Sequence, residues 1–174
     1  IATPYNHIDP IKSINSEKEE TTHYSVIDKW GNSVSVTTTI NGWYGSGITV
    51  DNGGFLLNNE MDDFSIKPGY PNKYGLVGSW ANSIMPYKRM LSSMTPTIVE
   101  DSTGEILMIL GSPGGSTIIT TVAQIISNVI DFEMPLKDAV ESPRVHHQWL
   151  PDKIYLESNK FSNIIVDELV KMKH

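Results

Sequence analysis

There is no cysteine among the 174 residues. Disulfides, thiolate metal sites and a cysteine nucleophile are thereby excluded, while the compartment is left open. Runs of lysine and arginine are missing too: Lys+Arg number 13 against 20 Asp+Glu, for a net charge of −7. Chains that track a phosphate backbone carry the opposite balance, so nucleic acid is not an expected partner. The most apolar stretch, Ile118–Ile130, is interrupted by Thr120, Thr121, Gln124, Ser127 and Asn128. It is too short and too polar to cross a bilayer, so no membrane segment is expected in this chain. The first residue is Ile, no signal peptide is visible, and His174 falls inside a helical pattern. Both ends read as truncated, so the missing targeting segment says little. Against these absences stand 39% hydrophobic and 19% charged residues, ordinary for a soluble globular protein with a core.

Residues 1–20 hold Pro4 and Pro10 and end in Ser16-Glu17-Lys18-Glu19-Glu20, the pattern of an extended, solvated linker. At Thr21 the pattern switches to alternation, with Thr22, Tyr24 and Val26 on one face and Thr21, His23 and Ser25 on the other. That predicts a strand over 21–28, a turn at Lys29-Trp30-Gly31-Asn32 and a returning strand over 33–40. A hydroxyl residue thus opens a strand directly after an acidic linker. Were the Glu20–Thr21 bond cut, Thr21 would carry a free α-amine beside its own Oγ. A terminal amine, with a pKa of about 7.7–8.0, can take the hydroxyl proton and activate it. A threonine opening a strand is also common with no such role. Hairpin pairing would bring Thr39 and Asn41 back toward Thr21; each is equally readable as a strand residue and a turn former.

Further along, Asn41–Gly47 is a glycine-rich loop with two aromatics. Residues 48–50 and 54–57 read as short strands around an Asp51-Asn52-Gly53 turn. Glu60, Asp62 and Asp63 follow the apolar Phe55-Leu56-Leu57, but without the spacing of a calcium loop. Residues 67–80 are rich in proline and glycine, as binding loops and lids often are. Ser92-Ser93 reads either as a turn before Thr95-Pro96 or as a carboxylate-binding pair. Residues 97–100 and 105–110 form a second hairpin pattern, its second strand a continuous apolar run expected to be buried on both faces. Gly111-Ser112-Pro113-Gly114-Gly115 joins it to an apolar-striped helix. No lysine follows the glycines, so this is not a phosphate loop; it is either a tight strand-to-helix turn or a pair of oxyanion-binding amides. A short helix over 135–141, a strand over 154–157 and a Ser162-capped helix over 162–171 complete the reading. The adjacent His146 and His147 are poorly placed for one metal ion and read as structural.

Several of these segments together are specific. Thr-Thr-His-Tyr-Ser-Val-x-Asp from Thr21, Thr39-x-Asn41, Asn58-Asn59-Glu60-Met61-Asp62-Asp63-Phe64, Ser92-Ser93-Met94 and Gly111–Gly115 occur in one order. From Thr21 to about Asp152 the chain closely resembles the γ-glutamyltransferase (γ-glutamyltranspeptidase) family. The resemblance implies a precursor that cleaves itself between Glu20 and Thr21, making residues 1–20 the tail of a large subunit and 21–174 a truncated small-subunit catalytic region. It implies Thr21 as nucleophile, Thr39 as a partner of its hydroxyl, and Gly114 and Gly115 as oxyanion donors. Asn41, Glu60, Asp63, Ser92 and Ser93 become substrate contacts, and Tyr74 the gating aromatic of a lid. Met90 stands where many relatives have proline, and Thr117 where many bacterial ones have arginine. His146-His147 recurs in the family as architecture.

The expected fold class is α+β, an incomplete αββα sandwich of N-terminal-nucleophile hydrolases. The expected partners are glutathione or other γ-glutamyl compounds, acceptor amino acids or peptides, and the large subunit, with neither cofactor nor metal. An arginine of the large subunit would help bind the substrate, so this segment alone is expected to be inactive. The family resemblance implies a periplasmic or secreted protein. Two other readings are a related acylase, such as a cephalosporin acylase, and an uncleaved binding domain.

Overall fold

Alternation between Thr21 and Thr39 produces an antiparallel hairpin of β1 (Thr21–Ile27) and β2 (Ser33–Thr39). Thr21 pairs with Thr39, His23 with Thr37 and Ser25 with Ser35. Asp28 closes the turn, its carboxylate accepting from the amides of Trp30 and Asn32, and Gly31 supplies the positive φ of 88°. This computed structural model describes residues 21–157 and 160–172. The linker expected over 1–20, with Glu20 of the expected cleavage junction, lies outside the described residues. Those described fall into two compact units, 21–122 and 123–172.

In the first unit the hairpin packs against a second one, β3 (Thr97–Glu100) with β4 (Ile106–Leu110). The polar row is the one that makes the contact. Ser35 Oγ donates to the Leu110 carbonyl at 3.0 Å. The His23 ring lies so close over Gly111 that a Cβ there would sit 2.2 Å from its Cε1. The apolar row is open instead, with Tyr24, Val26 and Val34 each about half exposed. β4 departs from expectation in a related way. Met108 and Leu110 are buried, but Leu107, on the opposite face, is 50% exposed. A continuous apolar run marks a strand to be covered on both sides, and among the described residues only one side of β4 is.

The two strands expected over 48–50 and 54–57 do not form. A single antiparallel bridge joins Thr49 to Leu56, flanked by Val50 N–H to the Phe55 carbonyl and Leu57 N–H to the Ile48 carbonyl. Asn52 and Gly54 both take positive φ, which curls the chain before a ladder can grow. Gly45 is required on other grounds: a Cβ there would meet the Leu57 carbonyl oxygen at 2.1 Å.

Helix α1 (Thr117–Ile130) follows the glycine loop and buries Ile118, Thr121, Val122 and Ile125 on one stripe. In the second unit Gln124 both donates to the Val145 carbonyl and accepts from its amide, fastening α1 to the two-residue strand β5 (Val145–His146). β5 pairs with β6 (Tyr155–Leu156). The short helix α2 (Leu136–Glu141) buries Ala139 completely, and α3 (Asn163–Lys171) starts at Ser162, whose hydroxyl accepts from Ile165 N–H. The two histidines have separate partners: His146 Nε2 lies 2.8 Å from Gln148 Oε1, and His147 Nε2 3.2 Å from Asp152 Oδ1. No described helix is long and apolar enough to cross a membrane.

Candidate active site

The hairpin register sets Thr21 opposite Thr39 at the open end of the ladder. The chain then turns sharply. Asn41 adopts φ 70°, a left-handed conformation that asparagine tolerates better than most residues. It is buried, 4% exposed, and its amide donates back to Thr39 Oγ1 at 2.9 Å. The corner is stitched to the acidic segment: Asn41 Nδ2 donates to the Asn59 carbonyl and Gly42 N–H to Asn59 Oδ1. The sequence reads 41–47 as a glycine-rich loop; its first two residues are buried and pinned, while Trp43, Tyr44, Ser46 and Gly47 are exposed. Residues Glu60–Asp63, a turn of 3-10 helix, are thereby held next to the end of the hairpin.

A cavity of about 40 Å³ opens here. It is lined by Thr21, Thr39, Asn41, Glu60, Asp63, Tyr74, Ser92, Ser93 and Gly115, together with Leu76, Met94, Ser116 and Ile118. Gly114 does not line it; its carbonyl accepts from the amide and hydroxyl of Thr117, starting α1. Both glycines have positive φ, 130° and 57°. Tyr74 forms one wall of the space. Its hydroxyl donates to Asn41 Oδ1 at 2.8 Å, and its ring passes 3.6 Å from where a Cβ on Gly115 would be. Ser92 Oγ accepts from Met94 N–H at 3.2 Å.

Electrostatics distinguish this cavity. Burial, then the negative charge and hydrogen bond of Asp63, push Glu60 up to about 7. Asp63 is raised as well, by burial and by Asp62, while the hydrogen bond with Glu60 pulls the other way. Lys73 favours ionisation of both. Two adjoining carboxyls of this kind accommodate an ammonium group, which relieves their repulsion. His23, two residues from Thr21, is not directed at it by its hydrogen bonds. Its Nδ1 lies 2.8 Å from Thr37 Oγ1 and its Nε2 3.1 Å from Ser25 Oγ, and burial holds its pKa below the ordinary value.

A larger cavity of about 370 Å³ shares Asp63, Leu76 and Ser93 with it and is lined in large part by the segment from Ile66 to Gly78. Of the residues that matter here, the sequence alone gives no site role to Lys73, Leu76, Met94, Ser116 or Ile118. Lys73 had one visible signal, a cation directly beside Tyr74 in a segment rich in proline and glycine.

The family model for gamma-glutamyltranspeptidase matches residues 2–174. This chain belongs to the γ-glutamyltranspeptidase family. The glutathione hydrolase proenzyme of Escherichia coli K12 is 54% identical over 156 residues, covering 90% of this chain and 27% of that protein. The chain thus spans about a quarter of the length of such relatives. Among solved structures, a threonine-to-alanine mutant of Helicobacter pylori γ-glutamyltranspeptidase superposes with a TM-score of 0.81 at 60% identity, over 87% of this chain and 81% of that one. An acivicin-inhibited γ-glutamyltranspeptidase, whose C-terminus has critical roles in autoprocessing and catalysis, matches with the same TM-score and identity over 87% of this chain and 80% of that one. The fold of this family member is accordingly an α+β portion of the N-terminal-nucleophile hydrolase fold.

Proposed function

We propose that the complete protein carrying this chain is a γ-glutamyltransferase and glutathione hydrolase that matures by cleaving itself before Thr21. The observation that carries this reading is the convergence of Thr21, Thr39, Gly115 and the Glu60–Asp63 pair on one cavity, in a chain of this family.

After cleavage the Thr21 α-amine takes the proton of its own Oγ, and Oγ attacks the γ-carbonyl of glutathione or a similar donor. Thr39 orients the hydroxyl, and the Gly114 and Gly115 amides hold the oxyanion. The C–N bond breaks as the departing amine receives the proton, leaving a γ-glutamyl ester on Thr21. Water then releases glutamate, or the amine of an amino acid or peptide forms a new γ-glutamyl amide; either restores the hydroxyl. Glu60, Asp63 and Asn41 hold the donor's α-ammonium end, and Ser92 and Ser93 its α-carboxylate. Tyr74 belongs to a lid, residues 1–20 end the large subunit, and the work is done in the periplasm or outside the cell. The carboxylate pair favours this donor over the glutaryl group of a related acylase, which has no ammonium to offer.

The test uses the full-length protein. Mass spectrometry should find a fragment beginning at Thr21, and γ-glutamyl p-nitroanilide should be split in preference to a glutaryl anilide. Thr21→Ala should abolish the fragment and lower turnover by roughly a thousandfold or more. Maturation and turnover that survive this change would overturn the proposal.

A further inference from the structure

Tyr74 forms one wall of the cavity, and the residue before it is tied down at both ends. The Lys73 amide donates to Asp62 Oδ2 at 3.4 Å. Its ammonium lies 4.6 Å from the centroid of the Tyr74 ring. The same ammonium reaches the Asn41–Gly42 corner: a Cβ on Gly42 would be 3.3 Å from Lys73 Nζ and equally close to Asn59 Oδ1. Gly42 is buried and leaves that approach open only because it has no side chain. The far face of the arrangement is the Gly115 backbone, against which the Tyr74 ring packs.

We propose that Lys73 is a positioning residue for the donor site, its ammonium clamping the Tyr74 ring between the Asn41–Gly42 corner and the glycine loop. A cation near an aromatic ring is attracted to the ring's face, and here it also stands in the field of Asp62, Glu60 and Asp63. The wall is therefore held by charge as well as by the Tyr74 hydroxyl. Lys73 touches no reacting atom. It acts through Tyr74, by keeping the ring where the donor's glutamyl part must fit.

The inference rests on the γ-glutamyltransferase reading, and its test separates the two. In the full-length protein, Lys73→Met keeps the aliphatic stem and removes the charge, and Lys73→Arg keeps the charge. With γ-glutamyl p-nitroanilide, Lys73→Met should raise KM about three- to tenfold, with kcat changed less than about twofold and Lys73→Arg close to wild type. Raising salt from about 0.05 to about 0.5 M should raise the wild-type KM more than that of Lys73→Met, because screening weakens in wild type a contact that the mutation has already removed. A second readout needs no activity: chymotryptic cleavage after Tyr74, followed by mass spectrometry, should be faster in Lys73→Met than in wild type. Equal cleavage rates, or Lys73→Arg as impaired as Lys73→Met, would overturn the clamp. A wild type that cleaves no anilide would instead overturn the enzymatic reading and leave the proteolysis result to decide the clamp.

Discussion

Glu60 and Asp63 are close together and partly withdrawn from water, so neither ionises independently of the other. Glu60 therefore keeps its proton up to about 7, above the ordinary 4.5. The unfolded chain gives up that proton near 4.5, so this residue's contribution to stability is complete below that pH and is lost as pH rises to about 7. The melting temperature of wild type should accordingly fall relative to that of Glu60→Gln across this window, as followed by thermal melts at several pH values. Donor binding should run the opposite way. If, as proposed, the ionised pair holds the donor's ammonium, KM for a γ-glutamyl anilide should fall as pH passes through about 7, and Glu60→Gln should flatten that limb.

Between elements, the tightest constraint lies where residues 64–66 pass residues 77–79. A Cβ on Gly78 would fall 1.9 Å from Ser65 Oγ, a buried hydroxyl with no hydrogen-bond partner among the described residues. Gly78→Ala should cost roughly 1–3 kcal/mol through overpacking, and Ser65→Gly in the same chain should recover most of it, as a denaturant melt would read. The sequence announces some elements and conceals others for physical reasons. The β1–β2 hairpin is legible because alternation and a Gly31-Asn32 turn agree, and α1 and α3 because their apolar residues keep a helical period over several turns. Residues 48–57 mislead because their β-branched residues suggest strands, while Asn52 and Gly54 bend the backbone out of them. The site is less legible still. Its residues come from six separated segments, which only the family resemblance draws together. Nothing in residue order says that the Lys73 ammonium lands beside Gly42.

For the molecule as a whole, the rows left open by this chain are informative. Tyr24, Val26 and Val34 lie on one face of the first hairpin, and Leu107 on the outer face of β4, all about half exposed. The chain spans 27% of its E. coli relative, so a large part of such a protein is available to cover them. Expressed alone, residues 21–174 should bind a hydrophobic dye such as ANS and self-associate, whereas the full-length protein should do neither. Equal dye binding by the two would show that these faces stay open in the complete protein.

The pairing of Thr21 with Thr39 has one more consequence. Severing a chain usually leaves two loose tails, and order near the break is lost. With the cut before Thr21 proposed above, the new tail would begin inside a ladder, its first residue already matched to a partner across the hairpin. The amine and hydroxyl set free by the break would be born in register, and no search would separate scission from the first turnover.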